Sequence, residues 1–202
     1  MIQQKISFLK YPFFVFSFWL PCAMLISSFV IPDERQKALP GVKTHKPMPQ
    51  NLSFGKSPYY IVIDKSDYEL KVYDKLGWYA TYPIVFGSKD LSDKMREGDK
   101  RTPTGTFKII LKKIHKKWGQ ELLLDYPNEE SYRKFRARKS QGLIPANASI
   151  GGGIAIHATR PEEEWTVDKY YNWTDGCVSV KYSEMKELYR MIPTGTVVKI
   201  QP

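Results

Sequence analysis

Cysteine and histidine are scarce in this chain. Its 202 residues hold two cysteines, Cys22 and Cys177, and three histidines, His45, His115 and His157. Ligands so few and so scattered exclude a zinc site. They also exclude a disulfide scaffold, which needs closely spaced pairs. No internal repeat is present, so a solenoid or propeller is excluded. The one glycine run, Gly151-Gly152-Gly153, is followed by neither a helix pattern nor a lysine, so it is no phosphate cradle. It could instead let an extended peptide lie close to the backbone. Acidic residues are in the minority, 21 against 31 basic, for a formal charge of +10. The imbalance peaks between Arg101 and Ser140, with eleven Lys/Arg against four Asp/Glu. That balance suits a polyanionic neighbour, either nucleic acid or an acidic cell envelope. No groove-reading element accompanies it, so nucleic acid is not the expected partner.

Charge is missing altogether from Tyr11 to Ile31, a 21-residue apolar run. Its length suits a membrane-spanning helix, and Lys5 and Lys10 before it place the remainder of the chain outside the cytoplasm. A cleaved signal peptide competes with a retained anchor, but Ser27-Ser28-Phe29 makes a poor cleavage site. Residues 1–32 are therefore read as a signal anchor or signal peptide. Residues 33–57, proline-rich and without apolar period, are read as a linker. Residues 58–202 are read as one domain.

That domain is expected to be mainly β, a curved sheet or sandwich with one or two short helices. Tyr59 to Asp64, Tyr68 to Tyr73 and Trp78 to Phe86 read as strands joined by short turns. Ser88 to Thr102 reads as a charged surface loop. Thr102-Pro103-Thr104-Gly105 is a turn leading into a strand from Phe107 to Leu111. Lys112 to Gly119 reads as a basic loop holding His115, and Leu122 to Leu124 as a short strand. Asn128 can cap a helix with Tyr132 and Phe135 on one face. Ser183 can cap a second, with Met185, Leu188 and Ile192 in the core. Thr196 to Ile200 makes the last strand.

Chemistry concentrates between Ile154 and Val180. Ile154, Ala155 and Ile156 lead to His157, and Thr174-Asp175-Gly176-Cys177 leads into Val178-Ser179-Val180. If the intervening loop folds back, His157 meets Cys177 at a strand edge. An imidazole beside a thiol can convert it to thiolate at working pH. Gly176 permits a tight backbone whose N–H groups could face an oxyanion. His115 could replace His157 in such a pair. A thiol with Cys22 as its only companion has no disulfide partner inside the domain, so Cys177 is either reactive or buried and inert. The inert reading makes the protein a tethered binding module.

Sixteen residues separate His157 from Thr174. With Thr174-Asp175-Gly176-Cys177-Val178, this spacing resembles the signature of the L,D-transpeptidase catalytic domain, the YkuD family, in an outlying subgroup with a Trp-Thr-Asp-Gly-Cys motif. Gly98-Asp99-Lys100-Arg101-Thr102-Pro103-Thr104-Gly105-Thr106-Phe107 resembles the same family's upstream stretch. The resemblance implies a bacterial envelope enzyme on the periplasmic side, anchored in the inner membrane through the N-terminal segment. It implies peptidoglycan stem peptides as substrate and no cofactor. Cys177 would be the nucleophile and His157 the base, with oxyanion donors at Gly176 and Cys177 and Thr174 ordering the loop. Asp175 stands where many members have His, and Ser179 where many have Asn or Arg. The donor carboxylate would then fall to Arg160, Lys169 or Lys181. Gly153 and Trp173 are further candidates for substrate contact. Transpeptidation is the expected reaction, with hydrolysis (an L,D-carboxypeptidase, or an amidase releasing wall-linked groups) as the alternative.

Overall fold

The computed structural model describes residues 53–202. The apolar run, Cys22 and most of the linker lie outside them. Among the described residues no helix is long and apolar enough to cross a membrane.

The N-terminal hairpins form as expected. Strand β1 (Tyr60–Asp64) pairs antiparallel with β2 (Glu69–Asp74), which pairs antiparallel with β3 (Gly77–Pro83). Strand β1 is covered on both sides. Ile61 and Ile63 enter the main core, while Tyr60 and Val62 pack with Tyr73, Val197, Phe54 and Trp78 in a smaller cluster. The third strand ends earlier than alternation predicts, because Ile84, Val85 and Phe86 leave the hairpin and are fully buried.

Strand β4 (Gly105–His115) is more than twice its expected length, and it pairs with β5 (Gly119–Leu124). The basic loop predicted from Lys112 is thus mostly strand, turning only at residues 116–118. A register shift between Ile109 and Leu111 breaks the alternation that would have revealed it. Strands β6 (Ala155–Ala158), β7 (Val178–Val180) and β8 (Val197–Gln201) complete one eight-stranded sheet, ordered β3-β2-β1-β8-β4-β5-β6-β7. It is mixed rather than antiparallel: β1 with β8 and β6 with β7 run parallel. Its two outer ends meet where Val85, just past β3, exchanges backbone hydrogen bonds with Ser179 of β7 at 2.9 and 2.7 Å.

Helix α1 (Glu129–Ser140) starts at Asn128, whose Oδ1 accepts the Ser131 N–H at 3.1 Å. Its Nδ2 also donates to the Thr106 carbonyl at 3.0 Å, tying the helix to β4. Asn128→Ala is expected to cost about 1 kcal/mol, read from urea unfolding. Phe135 is buried as expected, but Tyr132 is exposed. After a short α2 (Trp165–Asp168), helix α3 (Tyr182–Met191) begins two residues earlier than a Ser183 cap would allow. Glu184 accepts the Lys181 N–H in its place, at 3.3 Å. Met185, Leu188 and Ile192 are fully buried, as their spacing predicts.

The charged stretch from Ser88 to Thr102 is more than a surface loop. Lys65 is fully buried beneath it and donates to the carbonyls of Leu91 (2.5 Å) and Thr102 (3.3 Å). Asp99 accepts from Lys94 Nζ at 2.7 Å and from the N–H groups of Met95 and Arg101. Asp93 meets Arg138 at 2.7 Å and Lys134 at 3.2 Å. The segment is held from beneath, from within and by α1, and it backs the region around Cys177.

Candidate active site

Strand register decides which side chains meet. In the parallel pair, Ile156 lies opposite Val178 and His157 opposite Ser179. One step back, Cys177 enters β7 beside Ala155. Alternation then puts His157 and Cys177 on the same face, one diagonal apart. The Cys177 thiol reaches the Gly153 carbonyl at 3.5 Å. His157 Nδ1 lies 2.9 Å from the Ala158 carbonyl. A carbonyl only accepts, so Nδ1 carries the proton and Nε2 keeps a lone pair for a proton from sulfur.

The Thr174 hydroxyl ties the turn before Cys177. It donates to the Cys177 carbonyl at 2.6 Å and accepts the Gly176 N–H at 3.2 Å. Gly176 sits at φ +127°, and a Cβ there would come within 2.8 Å of the Arg101 carbonyl. The upstream loop is thus pressed against this turn. The Gly176 N–H, one of the two expected oxyanion donors, is engaged by Thr174. Asp175 points outward, 91% exposed, with Lys100 Nζ 3.9 Å away.

Two tryptophans enclose the imidazole. Trp118 lies 5.7 Å and Trp173 5.5 Å from the His157 ring, and the two indoles are 4.8 Å apart. Arg160 covers Trp118 at 5.6 Å, and Lys117 lies 4.4 Å from the same ring. Sequence reasoning passed over Trp118 because it sits among lysines in what read as a loop. A lone large aromatic in a basic turn was the available signal.

Residues 58–200 match the L,D-transpeptidase catalytic domain family. The chain belongs to this family. Among solved structures it is similar to the helical cell shape determining protein Pgp2 from Campylobacter jejuni, at 23% identity and TM-score 0.55 over 74% of this chain. It is also similar to Bd1075 from Bdellovibrio bacteriovorus, at 23% identity and TM-score 0.51 over 78% of this chain. These likenesses establish the fold. The chain spans about half the length of either protein, 50% and 51%. No curated protein matches it significantly.

In this L,D-transpeptidase-family domain two clefts adjoin Asp175. One, about 340 Å³, is walled by Trp118, Trp173, His157 and Cys177. The other, about 370 Å³, runs between the Gly98–Lys100 turn and Gly151, Gly152 and Ile154. Of the sequence-predicted substrate contacts, Trp173 lines the first cleft, and the Gly153 carbonyl faces the sulfur. Arg160 stands over Trp118, its guanidinium shared with Glu163 at 3.1 Å. Ser179 does not reach either cleft: it is fully buried in β7, its hydroxyl without a partner. Lys181 is paired with Asp168 at 2.5 Å. His115 stays apart from the pair, its Nδ1 accepting the N–H groups of Lys117 and Trp118 at 3.2 and 3.3 Å.

Burial sets the protonation of the pair. It pushes the Cys177 thiol up, opposed by the Ala155 N–H at the sulfur and reinforced by Glu121 and Asp175. It pushes His157 down, opposed by the Ala158 carbonyl and Glu121. Both directions favour the uncharged thiol and imidazole over a charged pair. A lowered imidazole keeps its accepting form at lower pH. The acid limb of kcat/KM is therefore expected below the ordinary value of 6.5, checked by a pH–rate profile.

Proposed function

We propose that the protein is a cysteine-dependent acyltransferase acting on peptidoglycan stem peptides, an L,D-transpeptidase in the bacterial envelope. The observation that carries this is that His157 of β6 and Cys177, immediately before the parallel β7, wall one cleft, with Nε2 left free by the Nδ1 contact to Ala158. Membership of the family supplies the substrate class. His157 Nε2 takes the thiol proton as Sγ attacks the carbonyl carbon of the stem amide. The oxyanion forms at the Cys177 N–H. The C–N bond breaks, the leaving D-amino acid takes the proton back from His157, and a thioester remains. An acceptor amine then attacks the thioester, its proton passing to His157 and on to the departing sulfur. One cleft is walled by Cys177 and the second meets it at Asp175, so a donor and a second peptide could approach by separate routes, which supports acyl transfer.

We further propose that this site lies outside the cytoplasm, a reading supported by the N-terminal apolar run as a signal anchor or signal peptide. The test incubates the full chain with tetrapeptide-stem muropeptides and follows protein and products by mass spectrometry. An acyl adduct with cross-linked or D-amino-acid-exchanged product is expected. Shortened stems without new bonds would make the protein a hydrolase instead.

A further inference from the structure

A row of polar residues crosses four strands at the level of the imidazole. Lys113 of β4 pairs with Glu121 of β5, Glu121 with His157 of β6, and His157 with Ser179 of β7. Directly paired residues on neighbouring strands point to the same face, with Cβ atoms about 5 Å apart. Glu121 therefore stands beside His157 on the face that carries Cys177, but one strand further from the sulfur. Its side chain is 8% exposed, and Lys113 Nζ, itself 41% exposed, lies 3.3 Å away. A carboxylate held this deep is unusual unless paired, and its one ion-pair partner is half in solvent. Its charge is thus weakly cancelled on the solvent side and weakly screened toward the ring.

We infer that Glu121 is a positioning residue for the reaction, placing a fixed negative charge against His157 so that the ring can hold the proton leaving Cys177. The inference rests on His157 being the base proposed above. Burial opposes a charged imidazole among two indoles. The Ala158 carbonyl stabilises one edge, and Glu121 supplies the nearest opposite charge along the sheet. The remaining charges around the pair do not replace it. His115 at the end of β4 opposes imidazolium, Lys117 and Arg160 are on Trp118, and Asp175 and Lys94 act on the sulfur. Glu121 also disfavours thiolate, but its position beside the ring makes the gain at His157 larger than the loss at Cys177. It assists at the moment of transfer rather than by making a resting ion pair.

The test is a histidine-ring NMR titration of the full chain, with the His157 signal assigned by its loss in His157→Gln. Glu121→Gln is expected to lower the His157 midpoint by about half a pH unit or more. Glu121→Asp is expected to restore part of that. Lys113→Met, which leaves the carboxylate uncompensated, moves the midpoint upward and serves as the independent reading if Glu121→Gln does not fold. On stem-peptide substrate, kcat of Glu121→Gln falls roughly tenfold with little change in KM. A purely structural ion pair would leave the His157 midpoint unmoved in both Glu121→Gln and Lys113→Met, and that result overturns the inference. Turnover that survives in Cys177→Ala would instead overturn the catalytic reading, whatever the titration shows.

Discussion

Cys177→Ala is expected to abolish the acyl adduct and to lower turnover of stem peptides by at least about a thousandfold. No other thiol lies among the described residues to replace it. The substitution removes one sulfur whose contacts are the Gly153 carbonyl at 3.5 Å and the Ala155 N–H, so the fold should survive and the loss will report chemistry. Intact-protein mass spectrometry reads the adduct, and product analysis reads turnover. His157→Gln should follow with a loss of roughly a hundredfold or more, because the proton then has no acceptor. The double variant should be hardly worse than Cys177→Ala, since the two act on one step. Full activity in Cys177→Ala would refute the thioester route.

The second large effect is on stability and centres on Gly87. A Cβ added there would lie 1.9 Å from the Lys100 carbonyl oxygen and 2.9 Å from the Gly176 nitrogen. Both neighbours are backbone, and the first belongs to a segment pinned by buried Lys65 and by Asp99. Nothing nearby can yield cheaply. Gly87→Ala is expected to cost about 3 kcal/mol, or roughly 10 °C in Tm for a domain of this size. Activity should fall with stability, because the displaced backbone includes the turn that aims Cys177. Gly152→Ala is the control. Its new methyl would meet Pro127 Cδ at 3.6 Å, an ordinary contact, and should change stability by less than about 0.5 kcal/mol. Thermal unfolding of both variants gives the comparison.

Much of this architecture could be read from local pattern. The apolar run of Tyr60–Asp64, alternation in Glu69–Asp74, the Asn128 cap and the Met185, Leu188, Ile192 stripe each state their structure within a few residues. The His157 and Cys177 positions were legible through spacing and motif. What escaped depends on distance. Strand β4 was shortened because lysines on its exposed side look like a loop and a bulge interrupts its period. Lys65 read as a turn residue, yet it is fully buried, because its ammonium finds carbonyls about thirty residues on. Trp118 and Glu121 gain meaning only from strand register, which no single segment encodes. Ser179 was singled out by its position in the family pattern, whereas the Val85 contact closes over it and buries it. The engagement of the Gly176 N–H by Thr174 is likewise a matter of geometry within one turn.

The contact between Val85 and Ser179 bears on the order of folding. Ser179 belongs to the strand that follows Cys177, and Val85 follows the first hairpins of the domain. Long-range pairings of this kind form late, since the loop entropy is lost before the contact returns anything. A chain part-way through synthesis or refolding can complete its early hairpins while the thiol still has no fixed neighbour. On the proposed reaction, competence to react is therefore expected to arrive only with closure of the sheet.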